Sequence, residues 1–293
     1  MASLREIKDR IGSVRSTLKI TNAMKLVASA KLRKAQQTIE GLHPYEATLA
    51  SILSYVCAAS PRAFAGEKRG SGSGKTAVVV VASNSSLCGG FNVNVVRKAL
   101  DVIYECEEGV DVFAIGRKAA EALRREGYPV PELLSDSGLN PENLVAHTDY
   151  EESVRFAQML IDAYESGVYG KVLLVYSHFV STSRQDVLCE TYLPFDVQAA
   201  PAEGDVLADG TFDTIIEPGP EAIAESLMPL VMRLKIHTVL LDSVASEHAA
   251  RTIAMQTASD NARDILDELT LEYNKGRQQQ ITAELLDIVG GSQ

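Results

Sequence analysis

There is no tryptophan in these 293 residues, and aromatic side chains make up only 6% of them. Aliphatic packing therefore has to supply the core. The four cysteines, Cys57, Cys88, Cys106 and Cys189, show no C-x-x-C spacing, and His237 and His248 stand too far apart for one metal site. That excludes a disulfide framework and the common zinc motifs, leaving reduced, structural thiols as the expectation. No run approaches eighteen apolar residues, and the chain is charged from Arg5 onward, unlike a signal peptide. Any membrane association is expected to pass through another protein. Acid is missing altogether between Arg10 and Ile39. Residues 1–60 hold nine Lys and Arg against four acids, a net of +5, so residues 61–293 carry −16 of the total −11. The overall sign argues against nucleic acid as the main partner, and the cationic stretch reads as a face meeting an acidic protein.

What is present is a long apolar repeat at each end. In residues 1–59, from Ile7 through Ile11, Val14, Leu18, Thr21, Lys25, Ala28, Leu32, Ala35, Ile39, Leu42, Glu46, Leu49, Leu53 and Val56, steps of three and four alternate, and all but Thr21, Lys25 and Glu46 are apolar. Residues 219–289 carry the same pattern through Ile223, Leu227, Leu230, Leu234, Leu241, Val244, Met255, Ala258, Ala262, Ile265 and Leu269. A heptad repeat kept this strictly specifies a coiled coil. At about 1.5 Å per residue the second helix would span roughly 100 Å, so it needs a partner of similar length, and the first helix is the candidate. If the stretch between them is an inserted domain with neighbouring ends, the two helices run antiparallel, and positions whose numbers total about 275 should face each other. That would set Leu18 opposite Ala258, bring Pro44 and Pro229 to one height, and place Thr21 and Lys25 against Arg251 and His248, a polar break in the seam. Beyond about residue 274 the second helix should stand alone.

Between the helices, residues 60–75 read as a Pro, Gly and Ser-rich linker. It holds a decoy. Gly70 to Thr76 imitates a phosphate loop, but that loop needs a glycine where Arg69 stands, and it should follow a strand rather than precede one. Residues 76–198 alternate strand and helix: strand Ala77 to Ala82, a glycine turn from Ser83 to Asn92, a helix to about Glu107, strand Val110 to Ile115, helices Arg117 to Glu126 and Tyr150 to Glu165, strand Lys171 to Ser177, and an antiparallel edge Val187 to Leu193. A strand apolar on both faces, such as Ala77 to Ala82, belongs in the middle of a sheet covered by helices on each side. This is a small Rossmann-like, doubly wound α/β domain. Residues 199–218 read as a connection holding a short strand, Thr214 to Ile216.

Ser86 and Cys88 sit where a strand-to-helix turn often holds phosphate or a nucleophile. G-x-G-x-x-G is absent, and no cationic neighbour that would activate Cys88 is evident. A turn using Gly89 and Gly90 for backbone freedom is the stronger reading. A nucleotide-binding α/β enzyme that oligomerises through a coiled coil, or a free coiled-coil scaffold, remains the alternative at this point.

Arg10-Ile11-Gly12-Ser13-Val14 with Lys19 to Ala28, the turn Leu87-Cys88-Gly89-Gly90-Phe91-Asn92, Ser246 to Arg251, and Tyr273-Asn274-Lys275-Gly276-Arg277-Gln278 with Ile281-Thr282-Ala283-Glu284 together resemble the gamma subunit of F-type ATP synthase. The match covers both ends and the middle in order. The resemblance implies a noncatalytic rotor shaft with no cofactor or metal of its own, coupling rotation of the membrane c ring to ATP synthesis at the beta subunits. Its implied partners are the alpha and beta subunits of the catalytic hexamer, the epsilon subunit and the c-subunit ring. It implies beta-subunit contacts at Met24, Lys25, Cys88, Arg251, Arg277 and Gln278, an apolar bearing tip at Ile281, Leu285 and Ile288, and a peripheral place on the cytoplasmic side of the cell membrane. Three departures stand out. Asn84, Ser85 and Ser86 occupy positions where the family usually carries an Asp and a basic residue, Gly290-Gly291 replaces the usual Gly-Ala, and Cys189 lacks the partner of a thiol switch. Want of a transit peptide points to a bacterial member.

Overall fold

The computed structural model describes residues 3–59, 74–106, 109–195 and 217–290. The chain divides into two compact units, residues 1–30 with 251–293, and residues 31–250. Helix α1, Leu4–Ala59, and helix α7, Pro220–Gly290, contribute to both. Pro44 and Pro229 lie inside these helices without ending them.

The first unit is an antiparallel helix pair. Ile7, Thr21 and Ala28 are buried on α1, and Met255, Ser259, Ala262 and Leu269 on α7. Its register is explicit. Ser259 Oγ donates to Thr21 Oγ1 at 2.8 Å, and Lys25 Nζ to Gln256 Oε1 at 2.8 Å. Near the end of the pair, a Cβ added at Gly276 would meet Leu4 Cδ2 at 2.9 Å. Thr21 therefore faces Ser259, about one helical turn beyond the residue expected from the sequence.

In the second unit the strands are β1, Lys75–Val81; β2, Val110–Ile115; β3, Tyr169–Phe179; and β4, Gln185–Leu193. They lie in the order β2-β1-β3-β4, with β1 parallel to both neighbours and β4 antiparallel to β3. The helices between are α2, Phe91–Glu105; α3, Arg117–Arg125; α4, Glu132–Asp136; α5, Pro141–Ala146; and α6, Tyr150–Glu165. The two-residue period of a strand divides β1 between two cores. Val78, Val80 and Ala82 pack with Val95, Ala99 and Leu123 of α2 and α3. Ala77, Val79 and Val81 face the other way, toward Phe156 and Leu160 of α6 and toward Leu53, Leu234 and Val239 of the long helices. Residues 31–59 and 220–250 thus complete the cover on one face of the sheet, so the α/β region shares its core with the segments that bracket it. Within this unit Leu32 and Ala35 cluster with Ala245 and Ala249. That register leaves Pro44 and Pro229 about two turns apart rather than at one height.

The strand Thr214 to Ile216 and the linker Ser60 to Ser73 lie outside the described residues. Helices α4 and α5 are additions to the expected alternation. Asn140 caps α5 by accepting from Glu142 N–H at 2.9 Å, with Pro141 in the first turn. Asn-Pro-Glu is a helix-start signal, obscured by the brevity of the helix it opens.

Candidate protein interface

The turn after β1 is cross-braced. Ser83 is fully buried: its Oγ lies 2.6 Å from Ser85 O and its N–H donates to Asn92 Oδ1 at 3.0 Å. Asn84 reaches the chain elsewhere, donating from Nδ2 to Glu142 O at 2.7 Å and accepting from Arg117 N–H at 3.0 Å. Gly116 lets the chain close over this corner. Its φ is +93°, and a Cβ there would lie 2.2 Å from Ala82 O. Cys88 is expected from the sequence to touch a partner, yet its side chain is 1% exposed and its thiol receives Asn92 Nδ2–H at 3.1 Å. The residue the turn presents is Leu87, 58% exposed and held at φ 66°, a conformation unusual for a side chain of its kind. With Gly89 also at positive φ, the backbone rolls Cys88 inward and Leu87 outward.

Beside this turn α7 bonds to the strand ends. Between the carboxyl ends of β1 and β3, where a doubly wound sheet ordinarily takes its ligand, Ser243 Oγ of α7 donates to Val81 O at 3.4 Å and Ser246 Oγ to Ser177 O at 2.9 Å. Asp242 Oδ1 accepts from Phe179 N–H at 2.8 Å. Lys75 lies on β1 and pairs with Asp111 at 3.3 Å, and Gly70 to Ser73 of the apparent phosphate loop lie outside the described residues. Among the described residues no group of His, Cys, Asp and Glu could hold a metal.

In the helix-pair unit, Met24 and Lys25 are half-buried and Arg251 is 8% exposed. Lys25 is engaged with Gln256, which donates onward to Asp260 Oδ2 at 2.7 Å, and Thr21 with Ser259, so polar side chains meet across the seam at Thr21 and Lys25. Arg277 and Gln278 are exposed, and Ile281 and Leu285 are exposed at 44% and 57%. Leu286, absent from the expected stripe, is 66% exposed; the side chain of Ile288 lies outside the described residues. Further apolar residues of this unit also face outward, among them Ile20 at 60%, Leu26 at 68% and Val27 at 57% on α1 and Leu271 at 70% on α7. Their signal in the sequence is Leu26-Val27 falling off the heptad seam. Apolar side chains on the outer surface of a helix pair, accompanied by exposed Lys19, Arg15 and Arg10, mark a surface that another protein covers.

A helix pair with apolar residues on its outside, and an α/β unit whose strand ends are bonded by the chain's own long helix, define a class of interaction subunit. Residues 3–293 match the ATP synthase family. Over 302 residues the chain is 45% identical to the ATP synthase gamma chain of Phocaeicola vulgatus, covering 100% of this chain and 99% of that one. Against the ATP synthase gamma chain of Moorella thermoacetica the identity is 36%, with the same shares covered. The chain belongs to the ATP synthase gamma chain family. Its fold is similar to a chain of the Euglena gracilis mitochondrial ATP synthase rotor, with a TM-score of 0.60 at 16% identity, covering 95% of this chain and 98% of that one. It is also similar to a chain of the Tetrahymena thermophila mitochondrial ATP synthase central stalk and c-ring, with a TM-score of 0.56 at 21% identity, covering 82% and 99%.

Proposed function

We propose that this chain is the central rotor shaft of a proton-translocating F-type ATP synthase, coupling rotation of a membrane c ring to ATP synthesis on beta subunits while catalysing nothing itself. The observation that carries the reading is the set of exposed apolar residues on the helix-pair unit, which includes Ile20, Leu26, Val27, Leu271, Ile281, Leu285 and Leu286. Left in water, such surface costs on the order of 25 cal/mol per Å², so a sleeve of other subunits must surround it. Alpha and beta subunits supply that sleeve, and epsilon and the c ring engage the α/β unit. No helix among the described residues is long and apolar enough to cross a membrane. In this reading the chain sits peripherally, on the cytoplasmic side of the cell membrane, held by its partners.

Met24, Lys25, Arg251, Arg277 and Gln278 are the contacts to beta, and the glycine turn contributes Leu87 in place of the inward-facing Cys88. Co-expression with the alpha and beta subunits of the Phocaeicola vulgatus enzyme tests the reading. The expected result is co-purification of an ATP-hydrolysing complex that the subunits form poorly without this chain. Recovery of a free gamma-like chain and an equally active hexamer would overturn it. The reading as a nucleotide-binding enzyme predicts instead saturable nucleotide binding by the chain alone, and Ser243 and Ser246 bond to the strand ends where such a ligand would bind.

A further inference from the structure

The two long-helix segments of the second unit meet the sheet differently. Leu49 and Leu53 of α1 contribute apolar contact, as do Leu234 and Val239 of α7. The α7 segment is fastened by directional bonds to backbone atoms of the strands themselves. Ser243 and Ser246, 1% and 0% exposed, give their protons to carbonyls at the ends of β1 and β3. Asp242 grips the end of β3 from both carboxylate oxygens, through Phe179 N–H at 2.8 Å and His178 Nδ1 at 2.5 Å. At the other end of the segment, the buried Tyr192 hydroxyl of β4 donates to Met232 O at 3.1 Å. Hydrophobic contact is non-directional and permits sliding. A hydroxyl one carbon from the helix backbone, bonded to a carbonyl fixed in a sheet ladder, permits neither axial sliding nor rotation without breaking the bond.

We propose that Asp242, Ser243 and Ser246 form a clamp that carries torque between the α/β unit and the C-terminal helix, so that α7 is the driven helix and α1 follows it. The proposal rests on the rotor-shaft reading. These three are positioning residues: they touch no substrate and act by fixing α7 to the strand ends.

Two measurements test the clamp. In the full-length chain, amide hydrogen exchange at Phe179 should be at least about ten-fold faster in Asp242→Ala than in the parent, while amides of α2 keep the parental rate. In the assembled complex, a bead on the exposed Cys189 thiol reports angular fluctuation during pauses in ATP-driven rotation. Ser243→Ala with Ser246→Ala should widen the variance of that fluctuation about two-fold, and Leu49→Val on α1 should leave it unchanged. Ser243→Ala alone, which removes only the longest of the bonds, serves if the double variant does not fold, with a smaller widening expected. Parental variance in folded, rotating serine variants overturns the clamp. A parent chain that assembles no rotating complex overturns the shaft reading and the clamp with it; in that case Phe179 exchange still reports whether Asp242 holds the strand end.

Discussion

Thr21 and Ser259 form a buried hydroxyl pair across the helix interface, 2.8 Å apart, with Thr21 passing its own proton back to Leu18 O at 3.1 Å. Every proton in this arrangement is placed, so the pair is satisfied in one register. Neighbouring seam residues such as Ala28 and Ala262 are small and resist displacement only weakly. Cysteines replacing Leu18 and Ala262 should therefore form a disulfide readily in the full chain, and cysteines at Leu18 and Ala258, one turn away, should form it at least about ten-fold more slowly. Peptide mapping after mild oxidation reads the two rates. Faster bonding of the Leu18 and Ala258 pair would restore the register reckoned from the helix ends.

His237 provides a dependence on pH. It is 6% exposed on α7, with Tyr150 edge-on at 5.2 Å and its Nδ1 3.1 Å from Ser153 Oγ. The Ser153 proton points to Asp149 O at 2.7 Å, so Oγ accepts from Nδ1–H of the neutral ring. Burial lowers its pKa below the usual 6.5, and the Asp149 carboxylate opposes that shift only in part. The unfolded chain therefore binds the proton first as pH falls. Stability from the neutral ring is complete above the unfolded value, declines as pH drops below about 6.5, and levels off beneath the folded value. Melting temperature should fall more steeply between about pH 7 and pH 5 in the parent than in His237→Gln. Parallel slopes in the two proteins would remove His237 from the account.

Much of this was legible in the chain because hydrophobic spacing reports burial directly. Each α1 position expected in the seam, from Ile7 to Val56, is buried or half-buried, including the polar Thr21, Lys25 and Glu46. The α7 seam was less legible: Ile265 is 44% exposed, while Ser243, Ser246 and Ser259 are at most 1% exposed. A hydropathy pattern counts serine as surface, whereas a short hydroxyl can be buried wherever a carbonyl or a second hydroxyl waits for its proton. Cys88 and Leu87 fail for a related reason. Residue type alone puts leucine inside, and only the positive φ angles around Gly89 reverse the pair.

That reversal can be checked. Leu87→Gly removes an exposed apolar side chain and relieves a positive φ, but adds backbone freedom to the unfolded chain. These effects offset, so the stability of the chain alone should change by less than about 0.5 kcal/mol. Binding to the alpha-beta hexamer should weaken by about ten-fold, as for loss of an apolar anchor in an interface. Isothermal denaturation and a pull-down titration measure the two. Unchanged hexamer binding would show that the turn meets no partner through Leu87.

The tip separates polar from apolar roles. Leu4 lies against Gly276, and beyond that point Arg277, Gln278, Ile281, Leu285 and Leu286 are all exposed on α7. Guanidinium and amide groups bind through directional hydrogen bonds and can transmit a turning force, whereas an apolar side chain inside an apolar collar centres the helix and lets it turn. Arg277→Ala with Gln278→Ala should therefore lower coupled ATP synthesis in membrane vesicles by about ten-fold, the loss of one to two charge-assisted bonds. Deleting Gly290 to Gln293, which leaves Arg277 through Leu286 in place, should cost less than about two-fold. Both variants need to be compared at equal content of assembled complex. A deletion that abolishes synthesis in fully assembled complexes, beside a double alanine variant equal to the parent, would assign the grip to the terminal residues and reverse the roles argued for this helix.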